Sequence, residues 1–518
     1  MALMRIVPLT TDVMTQRKLK VSWDVVHRLT QSMSRLRAGS AEPIVNPPYS
    51  DEDGAKKALS EWDAIYHKRA DDLTPTLLQI EETNRAKFGP RSLAKPWVAR
   101  KDSAFSYWCD HGGRALDIDF NGGKVWMSEV GTSHLRPIEP SAAARYIVRS
   151  TSSGLPFLSK KGLVLDETVE SLPSMLSRKD PAVLATRTQE MGKTRNVFNV
   201  PLADVVFEQT HFRVVHPYRQ KLHWRSSLLG PEAVEVAVTK VLDYGIENDR
   251  VLLSIDFSSY DASLQPRLTD PALRALLMPF GNTSSVERIV KRFISIGLVT
   301  PSGLIVGSHG VPSGSSWTNE VDSQVQFMIA YPVLLGEQLD SKVSGWLPCD
   351  VQGDDGIYAV SDPDLLLDTF RQYGLDANED KSHRGNDEFI YLQNYFSPHY
   401  RMSNGVVPGI YPTYRALNRI IHPERWVNLQ NEEITGEEYF AIRQIAILEN
   451  CKRHPLFVDF VKFVAGKDKA GLKLPNQKSL DDYIRIVGLK RGSGLGNQFG
   501  DFISGISRFE TVRILREL

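Results

Sequence analysis

Three cysteines in 518 residues, Cys109, Cys349 and Cys451, are too few and too scattered to staple a fold. No C-x-x-C pair is present, which excludes a disulfide framework and a cysteine-rich zinc module. Charge of one sign is missing too, because 62 Lys plus Arg balance 62 Asp plus Glu. No global field draws a polyanion, so any nucleic-acid surface has to be a local concentration of positive charge. No apolar run approaches the length of a membrane span, and the first residues, MALMRIVPLTTD, lack the apolar stretch of a signal peptide. Internal repeats and low-complexity segments are absent, which argues against a solenoid or a disordered scaffold. What is there is the composition of a globular chain, 42% hydrophobic and 24% charged, long enough for several subdomains. A soluble, intracellular protein with no membrane anchor is expected.

The stretch VQGDDGIYAV (351–360) reads as two short strand arms around Gly-Asp-Asp-Gly, a tight hairpin with two carboxylates at its tip. Like charges that close need a counter-charge. About a hundred residues earlier, VLLSIDF (251–257) reads as a buried strand delivering Asp256 at its carboxyl end, and Asp261 follows in DFSSYD. Two strand ends that converge would bring carboxylates together as oxygen ligands for two Mg2+ or Mn2+ ions, the arrangement that serves nucleotidyl transfer; unrelated surface acids are the alternative. Between 185 and 225 seven Lys or Arg stand against three acids, a candidate anion-facing region. GKT at 192–194 suggests a phosphate loop, but that motif requires glycine at 187, where this chain has Arg.

Further elements follow from local signals. Asp270-Pro271 predicts a helix start, and Asp362-Pro363 another, stopped by Gly374. Trp317, Val321, Val325 and Met328 recur at helical spacing, as core packing does. EFIYLQNYFS and RMSNGVVPG read as strands joined at Asn404-Gly405, and Thr435-x-x-Glu438 as a capping box.

In order along the chain, TSSGLPF (151–157), RTQEMGKTRNV (187–197), SIDFSSYDASL (254–264), GVPSGSSWTNEVDS (310–323), QGDD (352–355), NEDKS (378–382) and EFIYLQNYF (388–396) resemble motifs G, F, A, B, C, D and E of viral RNA-dependent RNA polymerases. Within that family, the SGSSWTN form and PTYRALNRIIHPERW (412–426) look most like segmented double-stranded RNA viruses such as picobirnaviruses and partitiviruses. The resemblance implies an α+β right hand with an antiparallel palm sheet flanked by helices. Its divisions would be an extension bridging fingers and thumb (1–150), fingers (151–205 and 268–310), palm (206–267 and 311–400) and thumb (401–518).

The resemblance also implies roles. Asp256 and Asp354 would be the principal metal ligands, with Asp355 assisting. Lys193 and Arg195, joined by Arg187, would face the incoming triphosphate. Asp261 and Ser313 would decide the sugar, and Thr318 and Asp322 share a helix face beside them. Picornavirus-like enzymes have Asn where this chain has Asp322, and its own Asn is Asn319, so either can be the ribose reader; helix capping and core hydrogen bonding are the bland alternatives for Ser313 and Thr318. Lys381 is placed to protonate pyrophosphate, or is simply exposed. Thr151, Ser152, Gly154 and Pro156 would form a turn against template phosphates, or an ordinary capped turn. Arg415, Arg419 and Arg425 would lie near the exiting duplex. Expected partners are template and product RNA and nucleoside triphosphates, with a capsid protein as a further candidate, in the virus particle and host cytoplasm. A reverse transcriptase and a non-catalytic RNA-binding protein of the same fold are the competing readings.

Overall fold

The computed structural model describes residues 4–131, 134–341, 345–377, 382–429, 434–469, 471–487 and 506–518. Eleven strands among them are numbered in chain order: β1 (Arg5–Val7), β2 (Ala182–Thr188), β3 (Thr194–Asn199), β4 (Val251–Ile255), β5 (Leu298–Thr300), β6 (Gly303–Val306), β7 (Cys349–Gln352), β8 (Asp355–Val360), β9 (His383–Gly385), β10 (Phe389–Tyr391) and β11 (Asn394–Phe396).

The central sheet runs β7-β8-β4-β9, antiparallel throughout. Its middle strands are apolar on both faces because both faces are covered. Leu253, Ile255, Tyr358 and Val360 join the core built on Trp317 and on Val321 and Val325 of the helix that follows it, Thr318–Ser341. Leu252, Ile357 and Ala359 point the other way, into Val234, Val238 and Val241 of the helix Pro231–Glu247. Period-two alternation thus survives inside what reads as a continuous apolar run. The expected stripe of Trp317, Val321, Val325 and Met328 is fully buried.

A second sheet, β1-β6-β5-β2-β3, gathers remote pieces of chain, with β2 and β5 parallel and the other pairs antiparallel. A third core packs Trp62 and Leu77 against Tyr414, Phe460 and Val464. There the Trp62 ring lies 4.8 Å from that of Phe460, and its indole N–H donates to Thr413 Oγ1 at 3.2 Å. The amino-terminal segment therefore enters two bodies, through β1 and through the helix Glu52–Tyr66.

Two expectations about elements are corrected. The helix expected to start at Asp270-Pro271 spans Pro266–Leu277, with Pro266 in its first turn and Pro271 inside it. The interior proline is tolerated because the carbonyl it cannot satisfy, that of Arg267, accepts the Leu116 N–H at 3.2 Å. Likewise Pro332 lies inside Thr318–Ser341, and the Met328 carbonyl accepts from Asn121 Nδ2 at 3.0 Å. EFIYLQNYFS is not one strand. It folds back on itself as β10 and β11, turning at Leu392 and Gln393 with φ of 49° and 65°, whereas Asn404-Gly405 forms a loop turn without flanking strands. The helix Pro363–Gln372 and the Thr435–Glu438 capping box form as expected.

No helix among the described residues is long and apolar enough to cross a membrane, and the three cysteines are free.

Candidate active site

The β7–β8 hairpin closes with a two-residue loop, Gln352 pairing with Asp355. Gly353 takes φ 66°, a left-handed value that only glycine adopts cheaply, which makes the turn tight enough to put Asp354 at its tip. On the other side β8 pairs with β4, and the last pair is Ile255 with Gly356. The next step along that register sets Asp256 beside Asp355. The Asp256 N–H is 3.4 Å from Ser382 Oγ.

Charge on this end of the sheet is crowded. Asp261, at the start of the short helix Tyr260–Ser263, has its carboxyl pushed up to about 6, by burial first and then by the negative charge of Asp354; Arg195 opposes the shift. Asp322 is buried, and its carboxyl is raised well above the ordinary range by burial and by Asp261 and Asp354. Its Oδ1 is buried without a hydrogen-bond partner. Three acids remote in sequence, Asp261, Asp322 and Asp354, thus share one electrostatic neighbourhood, and Arg195 belongs to it.

Thr318 Oγ1 donates inward, to the carbonyls of Pro312 (2.9 Å) and Ser315 (3.1 Å), so its hydroxyl is occupied in starting the helix. Ser313 Oγ accepts from the Phe198 N–H of β3 at 3.2 Å. The Asn319 carbonyl oxygen accepts from Arg225 at 3.0 Å, and its amide nitrogen sits by Gly353, 3.4 Å from where a Cβ would stand.

Arg225, which pattern reading left as one more basic residue, is fully buried and ties this site together. Its guanidinium donates to Ser323 Oγ (2.5 Å), the Val351 carbonyl (2.8 Å), Gln352 Oε1 (2.8 Å), Asn319 Oδ1 (3.0 Å) and Glu320 Oε1 (2.9 Å). Arg219, also buried, reaches the other Glu320 oxygen at 3.1 Å. Burial alone pushes the Glu320 carboxyl up, but the two arginines overcome it and hold it at about 2. The 185–225 excess of positive charge is therefore not one anion-facing surface. Arg219 and Arg225 are consumed inside, and Arg213 lies 4.3 Å over the Tyr146 ring; what stays exposed is Lys221, 5.2 Å over the Tyr218 ring, and the hairpin carrying Arg187, Lys193 and Arg195.

On that hairpin Arg187 of β2 pairs directly with Arg195 of β3, so their side chains leave the same face. Arg195 is also held by Gln189 Oε1 at 2.9 Å, and Arg187 faces Glu424 at 3.8 Å. Thr151, Ser152, Gly154 and Pro156 lie in a turn where Thr151 Oγ1 donates to the Val148 carbonyl and Ser152 Oγ accepts from the Gly154 N–H and from Asn199 Nδ2 of β3. Arg415 and Arg419 both donate to the Tyr411 hydroxyl, while Arg425 is exposed. Lys381 lies outside the described residues.

In kind, the donors suit a hard divalent cation: Asp256, Asp354 and Asp355 are carboxylates at adjoining strand ends, and Asp322 offers an unpartnered buried oxygen. In placement, no three acidic, histidine or cysteine side chains among the described residues stand close enough to hold an ion.

Comparison with known proteins assigns the class. A sequence model of the family described as viral RNA-dependent RNA polymerase matches residues 129–410, more than half of the chain. The chain belongs to the viral RNA-dependent RNA polymerase family. Among its relatives is a potential RNA-dependent RNA polymerase of human picobirnavirus (strain Human/Thailand/Hy005102/-), 28% identical over 475 residues, covering 87% of this chain and 86% of the relative. An RNA-directed RNA polymerase of Cryptosporidium parvum virus 1 (strain KSU-1) is 24% identical over 288 residues, 50% of this chain and 53% of that one. The crystal structure of the RNA-dependent RNA polymerase of a human picobirnavirus superposes with a TM-score of 0.79 at 23% identity, over 96% of this chain and 99% of that one, and shares the fold. An insertion-loop deletion mutant of that polymerase gives the same TM-score of 0.79.

Proposed function

We propose that this chain replicates and transcribes a viral RNA genome by two-metal-ion nucleotidyl transfer, with Asp256, Asp354 and Asp355 as the carboxylates that hold Mg2+ or Mn2+. RNA-dependent RNA polymerase is the activity of its family. The observation that carries the finer reading is the register: Ile255 opposite Gly356 brings the end of β4 alongside the Gly353–Asp354 turn, so acids a hundred residues apart meet at one sheet end. Bound there, two ions would activate the 3′-hydroxyl and neutralise the departing pyrophosphate. The protein's own residues orient the reactants. Arg195, whose charge reaches Asp261, and with it Lys193 and Arg187, would meet the triphosphate. Asp261, Asp322, Asn319, Thr318 and Ser313 would line the ribose. Since Asn319 is fixed by Arg225 and Asp322 is not, Asp322 is the better-placed acceptor for a 2′-hydroxyl. Thr151, Ser152, Gly154 and Pro156 would touch template, and Lys381 would protonate pyrophosphate.

The same reading assigns β7-β8-β4-β9 to the palm, the β2–β3 and β5–β6 pairs to fingers, residues 401–518 to the thumb, and residues 1–150 to a bridge. The support for the bridge is that β1 pairs with β6 while Trp62 packs against Phe460. A capsid protein as partner, and residence in the virus particle and cytoplasm, belong to the same proposal.

The test is extension of a homopolymer RNA template by purified protein with labelled ribo- or deoxyribonucleotides, with and without Mg2+ or Mn2+. Ribonucleotide incorporation that requires metal and falls on the order of a thousandfold in Asp354→Ala and Asp355→Ala is expected. Preference for deoxyribonucleotides would favour a reverse transcriptase. Metal-independent RNA binding without product would favour a binding protein.

A further inference from the structure

Beneath the loop that leads into the Thr318–Ser341 helix lies a carboxylate that none of the motifs contains. Glu208, on the helix Leu202–Arg219, is 4% exposed. Both of its oxygens are engaged by the loop: Oε1 accepts from Ser315 Oγ at 2.9 Å and Oε2 from the Ser316 N–H at 2.7 Å. Ser315 Oγ accepts in turn from the Trp317 N–H at 3.1 Å. From the opposite side β3 closes on the same loop. The Phe198 N–H donates to Ser313 Oγ, and a Cβ on Gly314 would stand 1.9 Å from the Phe198 carbonyl oxygen, so the loop is pressed there with no room for a side chain.

We propose that Glu208 is a positioning residue for nucleotide selection, clamping Ser315 and Ser316 so that the stretch from Ser313 to Asp322 is held at one fixed distance from the incoming ribose. The inference rests on the reading of that stretch as ribose-facing. The clamp needs an ionised carboxylate, because only then do both oxygens accept; protonation turns one into a donor and leaves the Ser316 N–H or the Ser315 O–H without its acceptor. The groups facing Glu208 are Asp204, one turn earlier on the same helix, and Lys161 from the helix Lys161–Glu170. Burial, aided by Asp204, brings its carboxyl up to about 7 against the bonds from the loop.

Glu208→Gln keeps the size and removes the charge. In template extension by the full-length chain it should raise the ribonucleotide KM roughly tenfold, the scale of one charged hydrogen bond, change kcat less, and lower the ribo-over-deoxy preference. The wild-type KM should rise more steeply than that of Glu208→Gln as pH falls from about 8 to about 6, the shared part of the rise coming from Asp261, which titrates near 6 in both. At about pH 8 Glu208→Gln should melt no lower than the wild type, because burying the ionised carboxylate costs stability that the amide does not. A Glu208→Gln enzyme with wild-type KM and pH profile would overturn the proposal, as would a KM change that only tracks a fall in melting temperature. If Glu208→Ala does not fold, the Gln variant still decides. Equilibrium binding of GTP separates two failures: intact binding without turnover in the wild type contradicts the polymerase reading, whereas equal binding by wild type and Glu208→Gln contradicts the role of Glu208.

Discussion

At the scale of single residues, the site depends on one buried cation. Arg225 spends its guanidinium on five acceptors from two elements, the Thr318–Ser341 helix and β7. A lysine carries the charge but not the planar fork, and its three donors cannot span that set. Arg225→Lys should therefore lower the melting temperature and cut incorporation together. Arg225→Met leaves Glu320 with Arg219 alone and should cost about 3 kcal/mol or more in chemical denaturation. An unchanged denaturation midpoint for Arg225→Met would remove Arg225 from this role. The charges of Asp261, Asp322 and Arg195 show why a residue list alone is insufficient: each acid is raised by burial and by its neighbours, which no spacing encodes.

At the scale of elements, the β7–β8 hairpin uses its two glycines for different reasons. Gly353 is needed for its backbone, φ 66°, while a Cβ there would meet only Asn319 Nδ2 at an ordinary 3.4 Å. Gly356 is needed for space: a Cβ would fall 2.8 Å from Gln326 Oε1 and 2.9 Å from the Tyr358 hydroxyl. Gly353→Ala should thus cost about 1 kcal/mol and retain most activity. Gly356→Ala should push β8 off the Thr318–Ser341 helix and shift Asp355, lowering incorporation more than stability. Parallel melts and extension assays check the contrast, and the reverse order of effects would contradict it. The EFIYLQNYFS hairpin and the helix Pro266–Leu277 make the general point about legibility. Both depart from their local signals, Asn-Gly and Asp-Pro, because tertiary partners such as Leu116 decide where an element can begin or turn.

At the scale of the whole molecule, four buried histidines weaken the fold in acid. Burial lowers His211, His223, His309 and His422 from 6.5 to about 4. Folded pKa values below the unfolded one mean that the unfolded chain takes up protons first as pH falls, so stability is lost between about 6.5 and 4. Each fully depressed histidine contributes about 1.4 kcal/mol per pH unit in that window. Buried carboxyls act in the opposite sense: Glu208 is raised to about 7, Asp350, held by Tyr391 and Ser226, and Asp261 to about 6, and Asp322, Asp180 and Glu449 are raised as well, so the net acid slope is a difference between two opposed sets. His309→Phe removes one of the groups that weaken the fold in acid, so its melting temperature should rise relative to the wild type's as pH drops from about 6.5 to 4. Parallel pH profiles for wild type and His309→Phe would refute the assignment.

The sequence by itself determined which chemistry was available and in what order its parts occur. Asp256 ends a strand, Gly-Asp-Asp turns a hairpin and Trp317 begins a buried stripe, because strand alternation, glycine dihedrals and helical spacing are local properties of the chain. Tertiary structure alone decided which charges remain free for a ligand. Arg187, Arg195, Arg219 and Arg225 read alike along the chain, yet two are exposed on a hairpin and two are buried on Glu320, since burial and pairing depend on what the rest of the fold brings to each residue.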